Sequence, residues 1–399
     1  MYCTRPLSLY KRAPEELSLP PEGPNSGYLV LQDENSTSNC NLGTCKDIYI
    51  KDLPLPQNKR LFIECLHEDF GDLPREYYVY NEVCLIPIIN HPLSSNRYYA
   101  IKAEKRHKGK SYSSSKEQEK GTCCFCCLYI KDVKPRCFDA EDIYQQFEFT
   151  VMNSSLNPNM LLAKSVAPDG HPPSFLRAQG WKMTTASPDN FTLGEARGLN
   201  SSLRAHLPDL SFPSSNECSE CIVVGKWYCP FMFIKEGKEK DQMKRSMFYE
   251  MTLEQRWKRI FSAQRSYYCQ EKTVKVDVVI PTETVSVAGK KAIKEEESSH
   301  NERGVVWFKG INLRKSERKV GLSSLIIERM MWEEERFGWV KTKEKQVRLV
   351  KDAEYEGIGD WTRFHCYVLL ETFVLKRNDG SIVLTYDFNH THHVRSKWE

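Results

Sequence analysis

The sequence predicts an α+β fold in which β dominates: a duplicated N-terminal β unit, then a C-terminal antiparallel sheet carrying two helices. Three observations lead there. Short motifs recur in the same order across residues 25–66 and 95–149. Gly225–Phe261 joins the densest apolar run of the chain, Trp227–Ile234, to what reads as a capped helix. The C-terminal third alternates apolar and polar residues and closes on an Asp-Gly turn, both marks of antiparallel strands.

Taken in order, residues 1–24 are rich in Pro and Leu without a period and are expected to form an extended arm. Gly27–Leu31 reads as a strand, and Leu61–Cys65 as a second apolar run. Downstream, Ser95–Ile101 matches Asn25–Leu31, Gly121-Thr-Cys123 repeats Gly43-Thr-Cys45, and Tyr129-Ile-Lys-Asp132 repeats Tyr49-Ile-Lys-Asp52. Residues 25–150 are therefore expected to be two copies of a β unit packed face to face, since neither copy buries its own apolar face alone. Residues 151–217 are rich in Asn, Pro, Ser and Gly with isolated aromatic anchors. They read as a loop-rich connection, with a short helix within Leu193–Leu207.

The C-terminal α+β domain is assigned to residues 218–399. Thr252-Leu-Glu-Gln255 has the form of a capping box, and Leu253, Trp257, Ile260 and Phe261 follow at helical spacing, which predicts a helix there. Val274, Val276, Val278 and Ile280 alternate with polar residues as a half-buried strand does. Thr284–Ala288 and Gly304–Lys309 are further strands, with a charged loop at Lys290–Arg303 between them. Leu322–Phe337 is the second helix, stopped by Gly338. His365–Leu375 and Ser381–Phe388 form a hairpin around Asn378-Asp-Gly380, because Asp-Gly supplies the positive φ of a tight turn.

At 399 residues, 40% apolar and 11% aromatic, the chain is long enough for two domains with a sizeable core. A formal net charge of +4 gives composition no case for nucleic-acid binding. No run approaches the ~20 apolar residues of a membrane span, and the first residues lack a signal-peptide apolar region. The expectation is a soluble protein of the cytoplasm or nucleus. In that reducing setting the 15 cysteines point to packing, metal or redox roles instead of a disulfide framework.

The stretches TRPLSLYKR, LSLPPEGPNSGYLV, SVAPDGHPP, VGKWYCPFMFIKEG, FYEMTLEQRW, RMMWEEERFGW and FVLKRNDGSIVLTYDFNHTH resemble the plant family of unknown function 1262 from one end of the chain to the other. The resemblance implies a land-plant protein, with a loose association to stress and defence. It supplies no activity and no functional residue.

Chemistry is sought first in the cysteines. Cys123 and Cys126, and Cys124 and Cys127, each have the CxxC spacing that lets two thiolates reach one ion. The repeat sets this cluster against Cys40 and Cys45, so two facing loops would offer the four sulfurs a structural zinc takes. Cys218 and Cys221 form another CxxC. Buried thiols that merely pack are the leading alternative. Lipid attachment at Cys123–Cys127 is the third, because Lys102–Lys120 carries seven Lys or Arg against three Glu and a basic patch beside acylated cysteines is a two-signal peripheral anchor.

His390 and His392 would share one face of a continuing strand and form a metal pair. The same parity puts them with Leu384, Tyr386 and Phe388, where a hydrogen-bonded structural histidine is the commoner occupant. No nucleophile elbow, phosphate loop, dinucleotide loop or HExxH helix is present. A triad of Cys229 or Cys366 with His365 and Asp360 is the most that can be assembled, and no catalytic residue is assigned. The leading expectation is a non-catalytic protein that binds a protein or small-molecule partner. A zinc-dependent protein comes second and an enzyme third.

Overall fold

The computed structural model describes residues 1–36, 49–69, 75–116, 118, 120–123, 127–152, 160–178, 180–265, 272–295, 304–311, 319–341 and 344–399. The fold is β-dominant, as predicted. The chain divides into two compact units, Met1–Ala196 with Tyr228–Phe248, and Arg197–Trp227 with Tyr249–Glu399. Among the described residues no helix is long and apolar enough to cross a membrane.

In the first unit, a six-stranded antiparallel sheet runs in the order Met160–Ser165, Gln146–Met152, Arg97–Lys102, Arg75–Pro87, Arg60–Asp69, Lys182–Ala186. Strand side chains alternate, so Leu61, Ile63, Val83, Leu85, Phe147, Phe149 and Met183 all face one core. Trp181 closes that core, its indole N–H donating to the Leu176 carbonyl at 3.0 Å.

The expected N-terminal arm is not extended along its length. Tyr2–Pro6 is a strand parallel to Gly27–Leu31, and the chain then turns into helix Leu7–Arg12 and a 3₁₀ turn at Pro14–Ser18. Tyr2 and Tyr10 are buried, so these residues help build the unit's core, which a Pro/Leu composition does not reveal.

The two resembling stretches take different places. Gly27–Leu31 pairs in parallel with Tyr2–Pro6, whereas Arg97–Lys102 lies antiparallel between two strands. Tyr49 makes an isolated bridge to Thr184, while Tyr129 belongs to a small hairpin of Lys120–Cys123 with Cys127–Ile130. Similar short strands here serve different partners, because pairing is decided by which neighbour buries the apolar face.

In the second unit an antiparallel series runs Lys319–Ser323, Val305–Gly310, Lys290–Lys294, Glu283–Val287, Ile382–Trp398, Arg363–Lys376, Phe248–Gln264. The predicted terminal hairpin is there, with Gly380 at φ +80°. Lys290–Lys294, expected as loop, is a strand, and 296–303 lies outside the described residues. Thr273–Pro281 is a strand as expected, but it pairs with Gln346–Glu354 in a separate two-stranded ribbon.

Of the two predicted helices, Ser324–Arg336 forms, with Gly338 at φ +95° just after it. The capped helix at Thr252 does not form. Those residues lie within the 17-residue strand Phe248–Gln264. Thr252 Oγ1 meets Glu254 Oε1 at 3.1 Å, and the Gln255 amide donates to the Arg204 carbonyl at 3.2 Å. Tyr249, Met251, Leu253, Gln255 and Trp257 are all buried. This is a period of two, which the coincident helical spacing concealed, and a fourteen-residue partner strand makes it the better bargain.

Trp257 is fully buried among Tyr367, Leu369 and Phe337, and its indole donates to the Pro208 carbonyl at 2.7 Å. Trp257→Ala removes both contacts and leaves a cavity, so unfolding in urea should show a loss of about 3–5 kcal/mol. A loss below about 1 kcal/mol would mean the strand does not bury this face.

Candidate functional site

Among the described residues two places bring chemically able side chains together, one in each unit. In the second unit, Glu371 is fully buried in the middle of Arg363–Lys376, a strand buried along most of its length and mainly apolar. A lone carboxylate there is prohibitively costly, and the fold supplies partners from three segments. Arg204, on the short helix Ser201–His206, forks onto it with Nε to Oε1 at 3.0 Å and a second guanidinium nitrogen to Oε2 at 2.5 Å. The Gln255 amide donates to Oε1 at 2.9 Å. His390 Nε2 lies 3.2 Å from Oε2 and 2.8 Å from Glu334 Oε2. Helix Ser324–Arg336 delivers Glu334 and also Glu333, which pairs with Arg329 one turn earlier. The Arg204 guanidinium is covered by the Phe337 ring at 4.2 Å.

The electrostatics follow from this geometry. Burial pushes Glu371 up, but the hydrogen bonds from His390 and Arg204 and their charges overcome it and hold the carboxyl down to about 2. Burial pushes His390 down, and Glu334 and Glu371 together overcome that and raise it to about 9. Burial and the neighbouring Glu371 charge raise Glu334 to about 8. Glu371 is thus the fixed anion, while Glu334 and His390 titrate as one pair.

Glu334, Glu371 and His390 place ligand atoms within 4.8 Å of one another, so a metal must be weighed. The donor set does not fit one. Arg204 already occupies both oxygens of Glu371. A metal-bound histidine normally donates its other ring N–H to a partner, and His390 Nδ1, though buried, has none among the described residues. A proton shared between Glu334 and His390 accounts for the short contact.

The sequence signal for this cluster was partial. His390 was singled out, but as half of a pair with His392. The strand does continue to Trp398, yet its pairing slips between Val368, opposite Val394, and Leu369, opposite His390. Three residues bulge out and the alternation breaks: His390 is buried and His392 is exposed. Arg204, Glu334 and Glu371 were not singled out. Glu371 alone was legible, as a charge inside VLLETFVL.

The cysteine expectation falls largely outside the described residues, where Cys40, Cys45, Cys124 and Cys126 lie. Cys123 and Cys127 are opposed ends of the small hairpin. The assembled triad does not hold: burial raises the Cys366 thiol, and Asp360 is paired with Arg265 at 2.6 Å.

The second place is a cavity of about 360 Å³ in the first unit, within the size range of small-molecule sites. Helix Leu7–Arg12 contributes Leu7, Tyr10 and Lys11, the turn after it Pro14 and Leu17, and residues 49–56 the opposite wall. Gln57, buried, pins that wall: its Oε1 accepts from Val30 N at 2.7 Å, and its amide donates to the carbonyls of Leu55 and Leu85. Lys11 Nζ donates to the Ser36 carbonyl. A second cavity, near Arg60 and Met247, is only about 20 Å³ and has room for a single water.

Residues 22–125 match a family described as "Protein of unknown function (DUF1262)". The match covers part of the chain and brings no activity with it. No curated protein matches. A solved structure titled "Crystal structure of Cry35Ab1" is similar at a TM-score of 0.47 and 12% identity, over 86% of this chain and 90% of that one. A likeness at that level carries no argument.

The charged cluster makes stability depend on pH. Because His390 is raised in the folded state, its contribution is complete below the unfolded value near 6.5 and fades as pH rises through about 9. Glu334, also raised, acts in the same direction. The urea midpoint should therefore fall between pH 6.5 and 9.5, by the equivalent of roughly 1–3 kcal/mol. In His390→Gln the midpoint should be lower at pH 6.5, and the fall that remains across that interval should be the part due to Glu334. A parent protein with a flat profile would remove the cluster from the account.

Proposed function

We propose that this chain is a non-catalytic binding protein whose ligand, a small organic molecule with an apolar body, sits in the first-unit cavity. The observation that carries the reading is the cavity itself: about 360 Å³, walled by Leu7, Tyr10, Leu17, Ile50 and Leu53, with Lys11, Gln32 and Asp52 at hand for orientation. Among the described residues its lining holds no histidine or cysteine. We further propose that the whole chain, beyond residues 22–125, belongs to the family of unknown function 1262. On this reading it works in the cytoplasm or nucleus of a land plant, in stress or defence. Support comes from the long motifs past residue 125, such as VGKWYCPFMFIKEG and FVLKRNDGSIVLTYDFNHTH.

The test is a thermal-shift screen of aromatic and alicyclic acids and amides, with Leu17→Trp as the cavity-filling control. A ligand at a hundred times its Kd adds about 2.7 kcal/mol, a rise in Tm of roughly 5–10 °C for a unit of this size. The shift should vanish in Leu17→Trp. A hit that shifts parent and variant alike would place the ligand elsewhere and overturn the proposal.

A structural zinc at the cysteine clusters is the second reading. It is favoured by the hairpin that pairs Cys123 with Cys127 in register and by the CxxC spacings of Cys123 with Cys126 and Cys124 with Cys127. Elemental analysis of the purified protein should then find about one zinc per chain, lost in Cys123→Ser/Cys127→Ser. Metal-free protein whose Tm ignores chelators would end this reading.

A further inference from the structure

The outer face of the first-unit sheet is built unlike a merely solvated face. Across the strands Lys182–Ala186, Arg60–Asp69 and Arg75–Pro87, the register sets Lys182, Glu64 and Tyr80 side by side in one row, with Tyr78 two residues further along. Tyr49 reaches the same face through its bridge to Thr184. Tyr78 is 58% exposed, Tyr80 52% and Tyr49 43%. Three half-exposed aromatic rings on one face are an expensive surface to leave in water. Beneath them is a carboxylate that is almost buried. Glu64 is 8% exposed; the Tyr49 phenol bonds to its carboxylate, and among the described residues its enclosed Oε2 has no hydrogen-bond partner. A buried acceptor left without a donor requires a physical explanation.

We propose that this face binds a saccharide chain. A sugar ring has a C–H face that lies on the negative face of a tyrosine ring, and a rim of hydroxyls that donate to a carboxylate such as Glu64. The charges around the tyrosines discriminate against other ligands that stack on aromatics. Lys182 Nζ already sits 5.8 Å from the centre of the Tyr49 ring, so an organic cation would meet a resident positive charge. Glu64 in the middle of the row would repel the phosphates of a nucleic acid. Arg60 covers the Phe62 ring at 5.1 Å and is spent on Glu82 and Asp189 at 2.8 Å each. That end of the face is closed, and the open rings are those of Tyr78 and Tyr80. A neutral, hydroxyl-rich, flat-faced ligand suits the open rings and, on displacing the cover over Glu64, supplies the donor that its enclosed Oε2 lacks. This site shares Tyr49 with the wall of the cavity proposed above, but its open rings, Tyr78 and Tyr80, lie outside that wall.

The test is affinity electrophoresis of the full chain through gels containing a β-glucan, a xylan, a galactomannan or a galacturonan. At least one should retard the parent. Tyr78→Ala/Tyr80→Ala should weaken that retardation by roughly tenfold to a hundredfold for two lost rings, while Tyr78→Phe/Tyr80→Phe keeps it. Glu64→Gln should weaken it as well. Tyr129→Ala, which removes another half-exposed tyrosine, and the cavity-filled Leu17→Trp should run as the parent does. No retardation by any of the four polysaccharides overturns the proposal. So does retardation that survives in the double alanine variant with its melting curve intact, or that disappears in Leu17→Trp.

Discussion

A carboxylate in the middle of an apolar strand has to be answered by the rest of its unit. Glu371 is flanked on both sides by buried aliphatic and aromatic residues, and its charge cannot be met by water. Arg204, Gln255 and His390 therefore converge on it from three separate segments, and the helix Ser324–Arg336 brings Glu334 to the far side of His390. Because a buried ion pair loses several kcal/mol when one partner is removed, this cluster fixes how these segments dock. It is organised for proton and charge balance within the unit; its full burial leaves no surface at which a substrate would react.

The first unit is arranged the other way round. Its core is ordinary, with alternating strand residues on one face closed by Trp181, and its unusual features are turned outward. One wall of the cavity behind helix Leu7–Arg12, residues 49–56, is anchored by Gln57, which bonds to three different backbone groups. The tyrosines of the outer sheet face stay exposed because the opposite parity of the same strands is consumed by the core. Tyr49 belongs to both the cavity wall and that face, and the Glu64 charge raises its phenol.

Much of this was legible in the chain, and the misses have definite causes. The terminal hairpin was readable since Asp-Gly carries its own backbone geometry, and Gly380 adopts it. The helix before Gly338 was readable for the same local reason. Thr252–Phe261 misled because Leu253 and Trp257 fit a period of four as well as a period of two, and only the adjacent strand Arg363–Lys376 chooses between them. His390 was visible as a histidine on a core-facing strand, but its partners lie 56 and 19 positions away in the chain. The matching of Tyr49–Asp52 with Tyr129–Asp132 was real as text, yet the two are paired to different neighbours.

What the sequence determined alone was the dominance of β structure, the turns that need glycine and the stop of the long helix, because each depends on neighbours a few residues apart. The tertiary structure alone decided which strands pair, where Glu371 finds its counter-charges, that a slipped register buries His390 and leaves His392 exposed with its ring 5.4 Å away, and that the tyrosines face outward. Those outcomes rest on contacts between residues far apart in the chain, whose free energy no local pattern records.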